Sequence, residues 1–481
     1  MQPVTLSQTR YSSAEVERVR VTKSRMSGQL RVAVVGAGGA GLCAARHILS
    51  RQGVFRPPVV YELSSAVGGT WVYEECTGCH DNGLPIHSSM YRDLRTNLPK
   101  EVMMFPDFPF DPQLPSFLPH QEVLRYLERY SQHYGITPHI RFETVVEEVK
   151  PVTMETGEGK LTWEVTSSGG QCGRRTETFD AVFVCNGHYS DPHLPSIPGL
   201  EHFKGTLLHS HSYRYPDPFA GQSVVVLGAG PSGLDISFEL ASVNAQVTLS
   251  HGRPPLQFPL PPQIQQAPPV CRVLKDGAVQ FQDGEVAHPQ VLLLCTGYRF
   301  SYPFLDPTQL GLQVQTHLVS PLYKHLLPPA CPSLFIVGVC KIICPFPHFH
   351  SQVQFALAVL EGTVSLPSKA EMEEEVQREM ERKLAEGVKP QHLLNLEWSQ
   401  WEYYQALAGM GGFSPPPPVT QSLYEEVRQQ RQRHPQKYRQ LNYRLISDTQ
   451  WEEVELQPNR PEDWDRVTET QEKERLERNV D

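Results

Sequence analysis

Two glycine turns constrain this chain more than any other feature. Gly36-x-Gly38-x-x-Gly41 and Gly228-x-Gly230-x-x-Gly233 each follow directly on a β-branched run, RVAVV at 31–35 and SVVVL at 223–227. Glycine there lets backbone approach a pyrophosphate at the start of the next helix, whose first N–H groups lack partners. Each turn is followed by a helical stretch and a second short apolar run, PVVY at 58–61 and 246–250, so the spacing predicts two β-α-β units. A glycine turn also arises for packing alone, so the end of the second strand matters. In the first unit Glu62 stands there, 26 residues after Gly36, where a carboxylate accepts both hydroxyls of an adenosine ribose. In the second the strand runs into Ser250, His251, Gly252 and Arg253, with no acid, and Ser232 lies inside the turn. A cation there suits a 2′-phosphate, although a solvated loop arginine is the plain alternative. Acid at one unit and Arg253 at the other point to FAD first and NADPH second.

At 481 residues the chain has room for two or three domains with a large core. The formal net charge is −10, and residues 446–481, with 12 acids and 5 bases, carry most of it. No basic surplus exists to neutralise phosphates, which excludes nucleic acid as a main partner and disfavours anionic membrane. No apolar run reaches the roughly 20 residues a bilayer requires, since 334–346 is broken by Lys341 and Pro345. The start lacks a secretory core. Four arginines before Met26 leave a mitochondrial transit peptide open, against Glu15 and Glu17, and the expected compartment is cytoplasmic. Ten scattered cysteines read as reduced thiols.

The expected fold class is α/β, with two Rossmann-like dinucleotide-binding domains, the NADPH domain inserted in the FAD domain. The expected bounds are a leader at 1–28, FAD domain at 29–200, NADPH domain at 201–300, FAD domain again at 301–446 and an acidic tail at 447–481. Between the units, 120–134 reads as a helix with Leu124, Leu127 and Tyr134 on one face and a stop at Gly135. Residues 142–149 and 161–166 read as strands, and 182–185, 291–294 and 334–338 as strands buried on both faces. Ser368 and Glu371 form a capping box for a charged helix at 369–386, closed by Gly387, that faces solvent or a partner. Prolines 415–418 mark a stiff connection, and the acidic tail reads as disordered or as an arm on a partner.

Four further motifs, in order, carry a resemblance. They are Gly68-Gly69-Thr70-Trp71, Thr96-Asn97-Leu98-Pro99-Lys100, Phe203-x-Gly205-x-x-x-His209-x-x-x-Tyr213, and Cys295-Thr296-Gly297-Tyr298. From about 31 to 362 the chain resembles the flavin-containing monooxygenases, and HSHSYRYPDPF is most similar to their soluble glucosinolate S-oxygenase-like branch. Cys295 replaces an alanine of the family pattern, and Gln290 stands where an acid is frequent. The resemblance implies NADPH- and O2-dependent oxygenation of nucleophilic sulfur or nitrogen through a C4a-hydroperoxyflavin. Its substrate would be a small soft nucleophile, a thioether or amine, with FAD and NADPH as cofactors and no metal. It implies that Asn97 is catalytic, its amide near flavin and nicotinamide; an Asn capping the turn before Leu98-Pro99 is the bland alternative. Gly69, Trp71 and Thr96 join the FAD site, Val145 offers backbone to the adenine, and Gly338 and Gln352 return to the flavin. His209 and Tyr213 orient the segment between the two nucleotide sites.

Rival readings stand beside this one. Cys76-Thr77-Gly78-Cys79-His80 matches C-x-x-C-H, but haem attachment lacks an export signal, and Trp71 occupies the first cysteine position of a flavin disulfide reductase. Baeyer–Villiger oxygenases carry Trp where Tyr213 stands. An NADPH oxidase and a non-catalytic, nucleotide-bound interaction protein complete the alternatives, and a homo-oligomer is left open.

Overall fold

Strand β1 (Val32–Val35) is apolar at every position and fully buried, as a parallel strand covered on both faces requires. It pairs in parallel with β2 (Val59–Tyr61), which pairs with β3 (Ile140–Arg141). The computed structural model describes residues 28–80, 83–153, 161–169 and 173–455. On the other side β1 pairs with β7 (Ala181–Val184), and β7 with the strand Leu334–Ile336, closing a five-stranded parallel sheet.

Alternation along these strands feeds two cores. Val32, Val34, Val60 and Phe183 face α1 (Gly39–Leu49), α3 (His120–His133) and α5 (Pro345–Leu360). Ala33, Val35, Tyr61 and Val182 face an antiparallel layer of β4 (Thr144–Thr153), β5 (Leu161–Gly169) and β6 (Arg175–Phe179). Each fully buried side chain of this size contributes about 1.5–3 kcal/mol.

The second unit repeats the plan. Strands Ile264–Ala267, Gln246–Ser250, Ser223–Leu227, Val291–Leu294 and Thr206–His209 form a parallel sheet in that order. Helix α4 (Pro231–Ser242) covers one face, packing Ile236 and Leu240 on Val224 and Val226. A small antiparallel sheet covers the other, with Val273, Val279 and Phe281 against Val225 and Leu227. All five strands lie between β7 and Leu334–Ile336 in sequence, so the second sheet is inserted into the first unit.

Some expectations are corrected. The buried face of α3 is Val123, Tyr126, Leu127 and Tyr130, while Leu124 and Tyr134 are only partly covered. Aromatic packing sets that face: the Tyr126 ring lies 3.7 Å from Phe110 and the Tyr130 ring 4.6 Å from Phe105. The acidic tail does not begin at 447 as a separate piece. Tyr443–Leu445 pairs with Trp451–Glu453 in a hairpin that crosses that boundary, Arg444 bound to Glu452 and the Trp451 ring 5.6 Å from Tyr443. The capping box forms: the Ser368 N–H donates to Glu371 Oε2 at 2.8 Å and the Glu371 N–H to Ser368 Oγ at 3.3 Å. It opens α6 (Lys369–Ala385), whose Glu375 takes Lys324 of the same chain. Most of the expected leader and residues 456–481 lie outside the described residues.

Candidate nucleotide and flavin site

The first cradle is built from backbone. Gly36 has φ +103° and its N–H donates to Tyr61 O at 2.7 Å; a Cβ there would sit 2.6 Å from Cys185 O. A Cβ at Gly41 would lie 1.8 Å from Gly36 O, so α1 reaches the turn only with glycine. Gly38 is the N-cap of α1, with no capping side chain and no acid in the first turn, which leaves the helix N–H groups open to an anion. Gly69 (φ +56°) faces Gly38 and starts the short turn that ends in half-buried Trp71. Phe346 and Phe349 of α5 lie over Gly39, and Phe349 also lies against Gly338, bringing the late segment onto this cradle.

Glu62 is buried at the end of β2. Its Oε2 accepts the Ala37 N–H at 2.7 Å, and its Oε1 accepts from both the N–H and Oγ of Ser64 at 2.8 Å. A carboxylate has about four lone-pair positions, so one stays open to a ribose hydroxyl. The Thr144 N–H donates to Glu62 O at 2.9 Å, which sets Val145 beside this end of the sheet.

The second cradle copies the first. Gly228 has φ +103°, its N–H donates to Ser250 O at 2.9 Å, and a Cβ would lie 2.5 Å from Cys295 O. A Cβ at Gly233 would meet Gly228 O at 1.8 Å, whereas one at Gly230 would meet nothing within 4 Å. Gly230 caps α4 without a side-chain bond, Pro231 and half-buried Ser232 open the helix, and its first turn has no acid. Arg253 is exposed and, among the described residues, makes no ion pair. The open space above Gly230, the uncapped helix starts and the unlike charges at the two strand ends fit two adenine dinucleotides, the second with a 2′-phosphate.

The loop carrying Asn97 runs between the units. Thr96 is spent on Leu118: its N–H donates to Leu118 O at 2.8 Å and its Oγ1 accepts the Leu118 N–H at 2.9 Å. Asn97 is half-buried, and its carboxamide makes no hydrogen bond to the described residues, unlike an Asn that caps a turn. Gln352 is fully buried and equally spent. Its Oε1 accepts the Gly338 N–H at 2.8 Å, and its Nε2 donates to Tyr403 Oη at 2.9 Å and His325 O at 3.2 Å. The carboxamide therefore holds Gly338 in its φ +81° turn and has no hydrogen left for a ligand.

His209 accepts the His211 N–H on Nδ1 at 3.0 Å and donates from Nε2 to Gly297 O at 3.1 Å. Burial pushes its pKa down to about 4, so it is a neutral brace between two motifs. Tyr213 is fully buried and donates to Glu239 Oε2 at 2.7 Å; burial pushes the Glu239 carboxyl up to about 7. Sequence reasoning missed Glu239, Asp235, Tyr91 and Arg439. The available signal was two acids four residues apart in the otherwise mostly apolar stretch 231–242.

Cys76 and Cys79 are exposed thiols with no disulfide between them. Cys43, His47 and His350 bring ligand-type atoms within 4.8 Å of one another. Arg46 donates to His47 Nδ1 at 2.7 Å, and His47 Nε2 faces His350 Nδ1 at 3.2 Å. Arg46 occupies the His47 Nδ1 lone pair and the ring's one N–H faces His350, so His47 has no lone pair open to a cation, and the cluster reads as a neutral imidazole pair.

Two glycine cradles, each at the start of a helix on its own parallel sheet, with the second sheet inserted into the first unit, define a two-dinucleotide flavoprotein oxidoreductase. The model of flavin-binding monooxygenase-like proteins matches residues 29–254 and 263–457, and the chain belongs to that family. The Arabidopsis thaliana flavin-containing monooxygenase FMO GS-OX4 is 39% identical over 400 residues, covering 79% of this chain and 84% of that one. The S-allyl-L-cysteine S-oxygenase of Allium sativum superposes with a TM-score of 0.77 at 37% identity, over 86% of this chain and 95% of its own. Tmm from Pelagibacter sp. strain HTCC7211 superposes equally well, 0.77 at 27% identity, over 89% and 97%. Within the family the chain falls in the GS-OX-like branch, and it is an NADPH- and O2-dependent flavin monooxygenase with FAD and NADPH as cofactors. Among the described residues no helix is long and apolar enough to cross a membrane.

Proposed function

We propose that the protein oxygenates nucleophilic sulfur, and with it amine nitrogen, in small molecules, with FAD on the Gly36 cradle and NADPH on the Gly228 cradle. The observation that carries this reading is one backbone geometry built twice with opposite charge at the strand end, Glu62 in one and Arg253 in the other. The sulfur preference leans on the likeness to an S-oxygenase and the GS-OX proteins, and nitrogen on the likeness to Tmm. Reduced flavin, when bound, supplies the chemistry of capturing dioxygen and handing one oxygen atom to a soft nucleophile.

This chain's residues do the rest. The N-termini of α1 and α4 receive the two pyrophosphates, with Gly38 and Gly230 letting backbone approach and Gly69, Trp71 and Ser232 lining the approach. Glu62 accepts a ribose hydroxyl, Val145 lends backbone to the adenine, and Arg253 takes the 2′-phosphate. Asn97 offers its unspent carboxamide N–H between the flavin and the nicotinamide, and Thr96 holds the Asn97 backbone. Gln352 acts through Gly338. No side-chain acid is required, because the substrate supplies the electron pair.

The test is purification with bound yellow flavin, followed by NADPH consumption with and without a thioether such as S-allyl-cysteine. The expected result is one sulfoxide formed per NADPH consumed. Flavin-free protein, or NADPH consumed with peroxide as the sole product under saturating thioether, would contradict the proposal.

A further inference from the structure

Asp235 and Glu239 share one face of α4, four residues apart. Three other parts of the chain meet that face. Tyr91, from the FAD-side loop, donates to Asp235 Oδ2 at 2.5 Å. Tyr213 donates to Glu239, and the Tyr91 and Tyr213 rings meet edge to face at 5.7 Å. Arg439, from the segment after α8 (Pro418–Arg433), donates from Nη1 to Asp235 Oδ1 at 2.5 Å. The same guanidinium donates from Nε to Thr96 O at 3.1 Å and from Nη2 to Arg95 O at 3.3 Å. Both carbonyls immediately precede Asn97.

The segment grips the loop from its far side too. The Tyr443 N–H donates to Ser116 Oγ at 2.8 Å and Asn442 Oδ1 accepts the Ser116 N–H at 3.0 Å, while Ser116 O accepts the Lys100 N–H at 2.7 Å. Asn97 thus sits in a short loop anchored at both ends by one C-terminal segment, and Arg439 ties that segment to the helix whose first turn forms the second cradle. Asp235 and Arg439 are largely buried and fully partnered, the condition under which such a pair orders structure without leaving a stranded charge.

We propose that Arg439, Asp235 and Tyr91 form a latch that holds the Asn97 loop against α4, making them positioning residues for nicotinamide retention and oxygen delivery. The inference rests on the role given to Asn97 above. A lysine cannot reach three acceptors with one ammonium as a guanidinium fork does. Arg439→Lys therefore fails to restore function, although it keeps the charge.

The experiment uses the flavin-loaded enzyme and the variants Arg439→Ala, Arg439→Lys, Asp235→Asn and, as control on the same segment, exposed Arg444→Ala. NADP⁺ affinity is read by titration calorimetry, and coupling as peroxide released per NADPH consumed under saturating thioether. The latch predicts unchanged flavin content in every variant. It predicts NADP⁺ bound about tenfold more weakly, equivalent to about 1.4 kcal/mol, with several-fold more peroxide in the first three and neither change in Arg444→Ala. Affinity and coupling within about twofold of the parent in both Arg439→Ala and Asp235→Asn would overturn it. If Arg439→Ala does not fold, the nearly isosteric Asp235→Asn decides alone. In an Asn97→Ala background Arg439→Ala should add no further peroxide, and a fully additive increase contradicts action through Asn97. If Asn97→Ala is itself fully coupled, the role of Asn97 falls, and NADP⁺ affinity alone decides the latch.

Discussion

The two cradles share φ +103° at the first glycine and a 1.8 Å collision awaiting a Cβ at the third, yet they differ at the second glycine and at the strand end. Gly38 is covered by Gly69, and Glu62 is held by three donors, so the first cradle is closed and preorganised. Gly230 faces open space, and Arg253 stands exposed without an ion pair among the described residues. A resident cofactor suits the closed cradle, and one that arrives and leaves each cycle suits the open one. On the proposed assignment, identical backbone geometry encodes the class of ligand, while a few side chains set which dinucleotide binds and for how long.

The largest expected effect separates the two directly. Gly41→Ala forces a Cβ into Gly36 O, costing about 3 kcal/mol or more, and should yield flavin-free protein with a lowered Tm. Gly233→Ala should instead leave flavin bound and abolish reduction by NADPH. Gly230→Ala, free of any clash, should weaken NADPH with no change in Tm. If all three variants lose flavin alike, the cradles are not separate sites. Glu62→Gln comes next: it unbalances three hydrogen bonds to a charged acceptor, costs about 2 kcal/mol, and should weaken flavin retention in dialysis while NADPH affinity holds. Arg253→Ala should lower kcat/KM for NADPH by about tenfold and leave NADH within about twofold; equal losses would place the 2′-phosphate elsewhere.

The smallest effect is a pH dependence. Burial raises the Glu239 carboxyl from its ordinary value to about 7, so the folded state favours the protonated form. That contribution is fully present below the unfolded pKa and is lost as pH rises through about 7, by less than about 1.4 kcal/mol per pH unit. Chemical denaturation from pH 4.5 to 8 should show Glu239→Gln flattening this fall relative to the parent. Parallel curves would mean that Glu239 is not shifted.

What was legible in the sequence was local. Gly36, Gly41, Gly228 and Gly233 are readable because a turn and a close helix leave no room for Cβ, and Glu62 because strand length fixes its distance from the turn. The face of α3 was misread because spacing alone does not weigh Tyr126 and Tyr130 against Leu124. The hairpin at 443–453 was hidden by its acidic composition, although Trp451 packs on Tyr443. The grip of Gln352 on Gly338 was not readable, since its other partners His325 and Tyr403 come from distant stretches. The latch was invisible for the same reason: Asp235 and Arg439 are 204 residues apart, and no period or motif announces their contact.

The most direct measurement is a crystal structure of the enzyme grown with NADP⁺. It should show flavin dinucleotide with its pyrophosphate at Gly36–Gly41 and its ribose on Glu62, and the nicotinamide dinucleotide at Gly228–Gly233 with its 2′-phosphate on Arg253. Exchanged occupancy of the two cradles, or a 2′-phosphate remote from Arg253, would contradict the account.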